Sequence, residues 1–418
     1  MFFMTFVAYF CAKQIEYENN TILFKWIGIL IPLIVLGIFK YFNFFTESFY
    51  KLFGISGYSS LNIILPVGIS FYTFQSMSYT IDVIRKQIKA QSFINVALYI
   101  AFFPQLVAGP IVKASDFIPQ LYENRKIDAN NFLTGIQIFV MGLLKKVVIA
   151  DNLSVFVDDV FARPAIFSTT SIILAVISYS IQIYCDFSGY SDMAIGTAKC
   201  LGYDFNTNFN MPYISKNVSE FWKRWHISLS TWLQEYLYIP LGGNRKGKTR
   251  TYINLLLTMV IGGLWHGANV TFIVWGFLHG IALCFHKLFK ATFARNKKHS
   301  LIGSLISVLI TYVFVCVCWV FFRAENLSSA LLMLNRIFIW HDGVVQIFSW
   351  SIVAIILVSA ATLVACLKSK KASLSKIDGF YPVMNLSKIS SLTLFFTVIG
   401  LILATAFTDS NPFIYFQF

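Results

Sequence analysis

The chain has 418 residues, of which 57% are apolar, 17% aromatic and only 12% charged, with a formal net charge of +14. A soluble domain carries about 25% charged residues, so lipid rather than water solvates most of this chain. The positive balance is not that of a nucleic-acid binder, because Lys and Arg lie in short loops between apolar runs, the pattern of cytoplasmic loops facing anionic lipid.

The 43 Phe and 9 Trp suit lipid contact and interfacial aromatic belts. Seven cysteines (Cys11, Cys185, Cys200, Cys284, Cys316, Cys318 and Cys366) lie mostly inside apolar runs with no CxxC spacing, which reads as buried free thiols. Residues 1–12 are apolar but short of the ~20 residues that span a bilayer core. They carry no basic n-region or cleavage site ahead of Lys13, so they read as the back half of a helix rather than a signal peptide.

Apolar runs near spanning length follow at 22–45, 61–84, 93–112, 132–149, 168–184, 252–265, 270–289, 301–322, 350–367 and 392–407, with an amphipathic stretch at 327–340. The pattern predicts an all-α, polytopic membrane protein of roughly ten to twelve helices, re-entrant and interfacial ones included. No composition shift or polar linker divides it, so residues 1–418 read as a single membrane domain with its motif core at about 61–290.

Some runs are interrupted. Pro66 and Gly68 break the second, and Pro104, Gly109 and Pro110 break the third. Broken helices at membrane depth are tolerated only where protein or a water-filled cavity satisfies the backbone, so residues 104–112 suggest a chamber wall or a kinked helix end at the interface. Asp186 follows directly on an apolar run, in CDFSGYSDMAIG with Ser188, Gly189, Tyr190 and Asp192. An ionisable group there is functional or structurally paired, with an Arg partner or the cap of a broken helix as structural options. Gly189 lets neighbouring backbone approach.

Residues 203–250 are too polar to span and too aromatic for a free loop. Trp222, Trp225, Trp232, Tyr236 and Tyr238 mark an interfacial or re-entrant element. Its cations Lys216, Lys223, Arg224, Arg245, Lys246, Lys248 and Arg250 outnumber Asp204, Glu220 and Glu235, which makes this face cytoplasmic. A second basic cluster at 287–298 belongs on the same side, and simple topology marking accounts for much of both.

From Arg250 the chain runs apolar to Trp265 and then places His266, about 24 Å further on if helical. Gly262, Gly263 and Gly267 bracket it without side-chain bulk, so that a substrate or another helix can approach. A lone His in an apolar helix is more often structural, but Trp265, these glycines and Asn269 favour chemistry. A neutral imidazole at that depth can act as general base, activating a hydroxyl for attack on a thioester. The phosphates of a cytoplasmic thioester donor match Lys223, Arg224 and Arg245, with Trp222 and Asn244 beside them. His226, just behind these charges, can polarise the acyl carbonyl or orient the attacking group. Asp186, Ser188, Trp265 and Asn269 complete the site as supporting residues. There is no GxSxG elbow, P-loop or HExxH, and the two histidines lack a third metal ligand at a usual spacing.

At these residues the sequence resembles the membrane-bound O-acyltransferases, and within them the bacterial alginate O-acetyltransferase type, which includes peptidoglycan O-acetyltransferases. The resemblance runs through LPVGISFYTFQSMSYTIDV (65–83), FFPQLVAGPIVKASDFIPQL (102–121), DFSGYSDMAIG (186–196) and NFNMPYISKNVSEFWKRWHISLSTWLQEYLYIPLGGNRKG (208–247). It continues in GGLWHGANVTFIVWGFLHG (262–280), WVFFRAE (319–325) and NPFIYFQF (411–418). The resemblance implies a helical fold around a membrane-embedded funnel in the bacterial inner membrane. It implies acetyl-coenzyme A as donor substrate with no permanently bound cofactor, His266 as the essential histidine and His226 as the second active-site position. It also implies a partner outside the cytoplasm, often an SGNH-hydrolase-type protein, that completes transfer to a glycan.

Two departures stand out: the family's first helix or two have no counterpart here, and Gln234 and Glu235 replace an expected basic–acidic pair. The expected function is membrane O-acetylation of a polysaccharide such as peptidoglycan, alginate or cellulose. The rival is a transporter or flippase for a polyprenyl-linked or anionic glycan, which broken helices and basic loops also suit. It has no inverted repeat in its favour and leaves WHGAN without a role. A scaffold for a polysaccharide-export complex is a third reading, in which both histidines tolerate substitution.

Overall fold

A computed structural model describes residues 1–55, 59–106, 109–123, 125, 128–293, 300–369, 384–406 and 413–414, with the side chains at 293, 301 and 361–369 outside that description. The described chain is helical, and its only β-pairing is an isolated bridge between Phe167 and Val344. It divides into two compact units, residues 1–135 with 197–205 and residues 136–196 with 206–418.

The first unit begins with α1 (Phe2–Glu16) and α2 (Thr21–Leu36), which a π-turn at Gly37–Tyr41 carries into α3 (Phe42–Leu52). Then come α4 (Ile69–Ile84), α5 (Phe93–Ala101), α6 (Phe103–Leu106) and α7 (Ala114–Tyr122). α1, α2 and α4 pack together at Gly28, where a Cβ would run into the Thr80 side chain. α4 buries Thr73, Gln75, Ser76, Ser78 and Thr80 in this packing. Ser76 and Ser78 donate their hydroxyls back to the Tyr72 and Phe74 carbonyls at 2.6 and 2.8 Å, so their polarity stays inside the helix.

Both expected interruptions occur. Residues 59–68 are not helical and α4 starts only after Gly68, whose φ of +75° suits a residue without Cβ. α5 stops at an extended Phe102, and side chains take up the freed carbonyls. The Gln105 amide donates to Tyr99 O at 2.7 Å, and the Tyr99 hydroxyl donates to Val112 O at 2.9 Å. Residues 107 and 108 of this break lie outside the described residues.

Along the chain follow α8 (Ala129–Leu143), a π-segment at Leu144–Asp151, α9 (Asn152–Ala162) and α10 (Thr169–Cys200). Within the second unit the π-segment meets α10 at Gly142 and Gly189, where a Cβ on either would strike the other's carbonyl oxygen. That close approach, expected of Gly189, brings Lys146 Nζ to 2.5 Å from Asp186 and 2.7 Å from Asp151, and Lys145 Nζ to 2.5 Å from Asp192. Asp186 therefore lies in mid-helix rather than capping a broken one, and its partner is a lysine rather than an arginine. The helix continues because Lys146 and the Ile414 amide, 3.0 Å from Asp186 Oδ2, satisfy the carboxylate in place.

The rest of this unit holds α11 (Val218–Trp222), α12 (Ile227–Leu233), α13 (Gly247–His266), α14 (Val270–Phe293), α15 (Leu301–Arg323), α16 (Leu327–Phe338), α17 (Ser349–Ser369) and α18 (Ile389–Thr405). Its core is aromatic: Phe221, Trp225, Trp275, Trp319 and Phe322 are all but inaccessible. α13 and α14 form a tight hairpin in which Gly263 faces the Phe272 carbonyl and Gly276 faces the Met259 carbonyl. Gly263 thus serves helix–helix contact, one of the two roles expected of the glycines bracketing His266.

Among the described residues, five helical stretches are long and apolar enough to cross a bilayer: Thr21–Leu52, Ala129–Ala162, Thr169–Cys200, Val270–Thr292 and Ile302–Arg323. Two later apolar runs make the shorter helices Ser349–Ala360 and Ile389–Thr405, and the amphipathic stretch makes Leu327–Phe338. Cys11, Cys185, Cys200, Cys284, Cys316 and Cys318 are free thiols, and the Cys366 side chain lies outside the described residues. Removing one member of a buried ion pair strands the other. Lys146→Met should therefore cost about 3–5 kcal/mol, and Lys146→Met with Asp186→Leu clearly less, read as thermal unfolding midpoints of the two purified variants.

Candidate active site

His266 is the last residue of α13, and the chain turns at once because Gly267 is extended. Asn269 then caps α14: its Oδ1 accepts from Thr271 N at 3.1 Å, and its amide donates to the Glu325 carbonyl at 2.8 Å. Asn269 thus fixes the loop that carries His266. The imidazole is 4% exposed and enclosed edge-to-face by Trp265 (5.1 Å between ring centres), Trp275 (5.1 Å) and Phe322 (5.2 Å).

His226 starts α12 with φ +42° and ψ +56°, the left-handed conformation, uncommon for a residue with a side chain. It is fully buried, with Phe187 edge-on at 4.5 Å. Asn208 anchors it. Asn208 Oδ1 accepts from Ser228 N at 3.2 Å and from Ser228 Oγ at 2.9 Å, and lies 3.1 Å from His226 Nδ1. An oxygen that accepts a backbone N–H is the acceptor for the ring as well, so Nδ1 carries the hydrogen and Nε2 the lone pair. Burial pushes this imidazole down to about 3, which keeps it neutral.

The two histidines, forty positions apart, share one neighbour. The Trp265 indole lies 6.4 Å from the His226 ring and 5.1 Å from the His266 ring. Asp186 and Ser188 flank Phe187, the ring that touches His226; the buried Ser188 hydroxyl has no hydrogen-bond partner among the described residues.

The expected donor-binding residues divide. Arg224 is taken up by Glu220, 2.9 Å away, and by the Asn210 carbonyl at 3.2 Å. Trp222 is buried in the aromatic core with its Nε1 donating to His279 Nδ1 at 3.3 Å. Lys223 and Arg245 are exposed. Asn244 accepts from the Tyr238 hydroxyl at 2.7 Å and from Lys287 Nζ at 2.5 Å. It lines a half-open cavity of about 430 Å³ with Gly247, Lys248, Thr251, Tyr252 and Lys287. The Asn244–Lys287 bond joins the start of the second basic cluster to the first; residues 294–298 of that cluster lie outside the described residues. Gln234, exposed, opens a π-turn with Glu235.

Sequence reading missed Asn208 and His279. Asn208 carried no signal, because nothing local marks an asparagine that will hold a ring eighteen residues on. His279 stood in the GFLHG end of a quoted motif, one turn after Trp275 on the same helix face, and that spacing was the available clue.

The sequence pattern of the membrane-bound O-acyltransferase family matches residues 49–322, which hold both histidines. The chain is 45% identical over 322 residues to the "probable alginate O-acetylase AlgI" of Pseudomonas aeruginosa, a match covering 75% of this chain and 60% of that protein. It is 41% identical over 357 residues to the peptidoglycan O-acetyltransferase of Helicobacter pylori, covering 78% and 67%. A teichoic acid D-alanyltransferase of Bacillus subtilis is 29% identical over 272 residues, covering 61% and 68%.

The chain is thus a multi-pass helical membrane protein with a buried histidine pair, and it belongs to the membrane-bound O-acyltransferase family. It spans about three fifths of the length of the alginate O-acetylases it matches.

Because burial lowers His226 from its ordinary value of 6.5 to about 3, the ring favours the folded state fully above pH 6.5. That contribution is lost as pH falls from 6.5 toward 3. The thermal midpoint of the purified protein should therefore drop on acidification through this window. In His226→Gln, which does not titrate, the drop should be shallower; scans of both proteins at stepped pH check this.

Proposed function

We propose that the protein is an inner-membrane O-acetyltransferase that takes acetyl groups from cytoplasmic acetyl-coenzyme A for O-acetylation of a polysaccharide. What carries the reading is the pair of buried imidazoles against one indole, inside the stretch that matches the family. The hydroxyl oxygen of the acceptor attacks the thioester carbonyl carbon while its proton passes to His266. A C–O bond forms, the C–S bond breaks, and the leaving thiolate takes the proton back from His266, so an ester and a free thiol result. With its lone pair on Nε2, His226 suits holding the attacking hydroxyl better than polarising the carbonyl.

The names of the relatives support a polysaccharide acceptor, alginate or peptidoglycan. The acceptor hydroxyl enters from the side opposite the donor, either from the glycan itself or from an SGNH-hydrolase-type partner that relays the acetyl group. Exposed Lys223 and Arg245, and the cavity at Asn244, Lys248 and Lys287, offer cations for the donor's phosphates.

In cells, His266→Ala should remove ester-linked acetate from wall and secreted glycans with the protein level unchanged. In purified protein the same change should slow acetyl-coenzyme A turnover by about 10²–10⁴-fold, the usual contribution of a general base. Retained transfer in this variant would take His266 out of the mechanism. Glycan flux without acetyl chemistry would favour the transporter instead.

A further inference from the structure

Helix α14 places Trp275 and His279 one turn apart, both are fully buried, and Trp275 packs against His266. The Trp275 ring meets the His266 ring at 5.1 Å and 88° and the His279 ring at 4.9 Å. His279 is also held by Trp222, whose indole nitrogen lies 3.3 Å from Nδ1. An indole N–H can only donate, so Nδ1 of His279 carries the lone pair and the ring hydrogen sits on Nε2. That Nε2–H meets no acceptor among the described residues, and neither does the indole N–H of Trp275.

Two buried donors on one helix face, one of them against the proposed base, lack an acceptor among the described residues. Leaving such groups unsatisfied is costly, so an oxygen atom from outside the chain is the chemistry they fit. We infer that His279 Nε2–H and Trp275 Nε1–H bind the carbonyl oxygen of the acyl group. The inference rests on the acyl-transfer reading and divides the labour within it. His266 carries the proton, His226 holds the attacking hydroxyl, and the α14 pair receives the charge that builds on oxygen. When the hydroxyl adds, the carbonyl π electrons move onto that oxygen. They return when the C–S bond breaks and the thiolate departs with the proton from His266. Fixed N–H groups in a water-excluded setting stabilise that transient charge more than the neutral carbonyl, so they act on kcat.

The test uses the full chain in lipid nanodiscs with acetyl-coenzyme A, reading release of the free coenzyme thiol. Trp275→Phe keeps the ring and removes only the N–H, and His279→Leu removes the second donor. Each should lower kcat about 10²-fold, the usual effect of losing one such donor, with KM for acetyl-coenzyme A little changed. His279→Gln, whose amide N–H can stand in for Nε2–H, should keep much more of the rate than His279→Leu.

Wild-type rates in Trp275→Phe and His279→Leu, beside an inactive His266→Ala, would overturn the inference and leave the acyl-transfer reading standing. A resident water on these donors would give that result. A slow His279→Leu with an equally slow His279→Gln and a normal Trp275→Phe would mark a packing role and also overturn it. If His279→Leu fails to fold, Trp275→Phe decides alone. No thiol release by the wild-type chain would sink the acyl-transfer reading and the inference together.

Discussion

The close crossing of α13 and α14 is the constraint on which the rest of the site depends. Gly263 lies under the Phe272 carbonyl and Gly276 under the Met259 carbonyl, and side chains at either place would force the backbones apart. Lipid offers apolar helices no hydrophobic reason to associate, so such small-residue contacts, with the dispersion they allow, hold helices together in membranes. Here they fix where α13 ends. His266 is the last residue before the turn, and the crossing sets it against Trp275 of the partner helix and Phe322 of α15.

Around that hairpin, polarity is handled by locking each group to a named partner. Lys146 and Lys145 neutralise Asp186 and Asp192 where α10 passes the π-segment, through an approach that only Gly142 and Gly189 permit. Asn208 and Trp222 each select a tautomer: one turns His226 into an acceptor, the other turns His279 into a donor. A buried imidazole with its hydrogen placed in advance needs no reorganisation when charge moves, the condition under which dipoles in a dry site act most strongly. Two rings of one chemical type can thereby hold opposite parts of one reaction.

Much of this was legible in the residues, and the pattern of success has a physical cause. Features set by local covalent chemistry came through: the breaks at Pro66–Gly68 and Pro104, the helical runs, and the freedom of backbone to approach Gly189. The two histidines stood out because imidazoles beside membrane-grade sequence are costly and so rarely idle. What did not come through depends on partners distant in sequence. Arg224 looked like a phosphate ligand until Glu220, one turn away, was seen to hold it. The glycines near His266 gave no sign of whether ligand or helix fills the space they leave. Capping a broken helix was one option for Asp186 because the hydropathy falls there, yet a lysine forty residues earlier pairs with it and the helix runs on to Cys200.

The central claim is that acyl transfer happens between His226 and His266, beside Trp265. The most direct test is an experimental structure of the chain in lipid with a non-hydrolysable acetyl-coenzyme A analogue. The account predicts the acyl carbonyl carbon within reach of both imidazoles, its oxygen toward Trp275 and His279. An analogue whose acyl group lies elsewhere, with the rings around His266 closed as they are here, would contradict it.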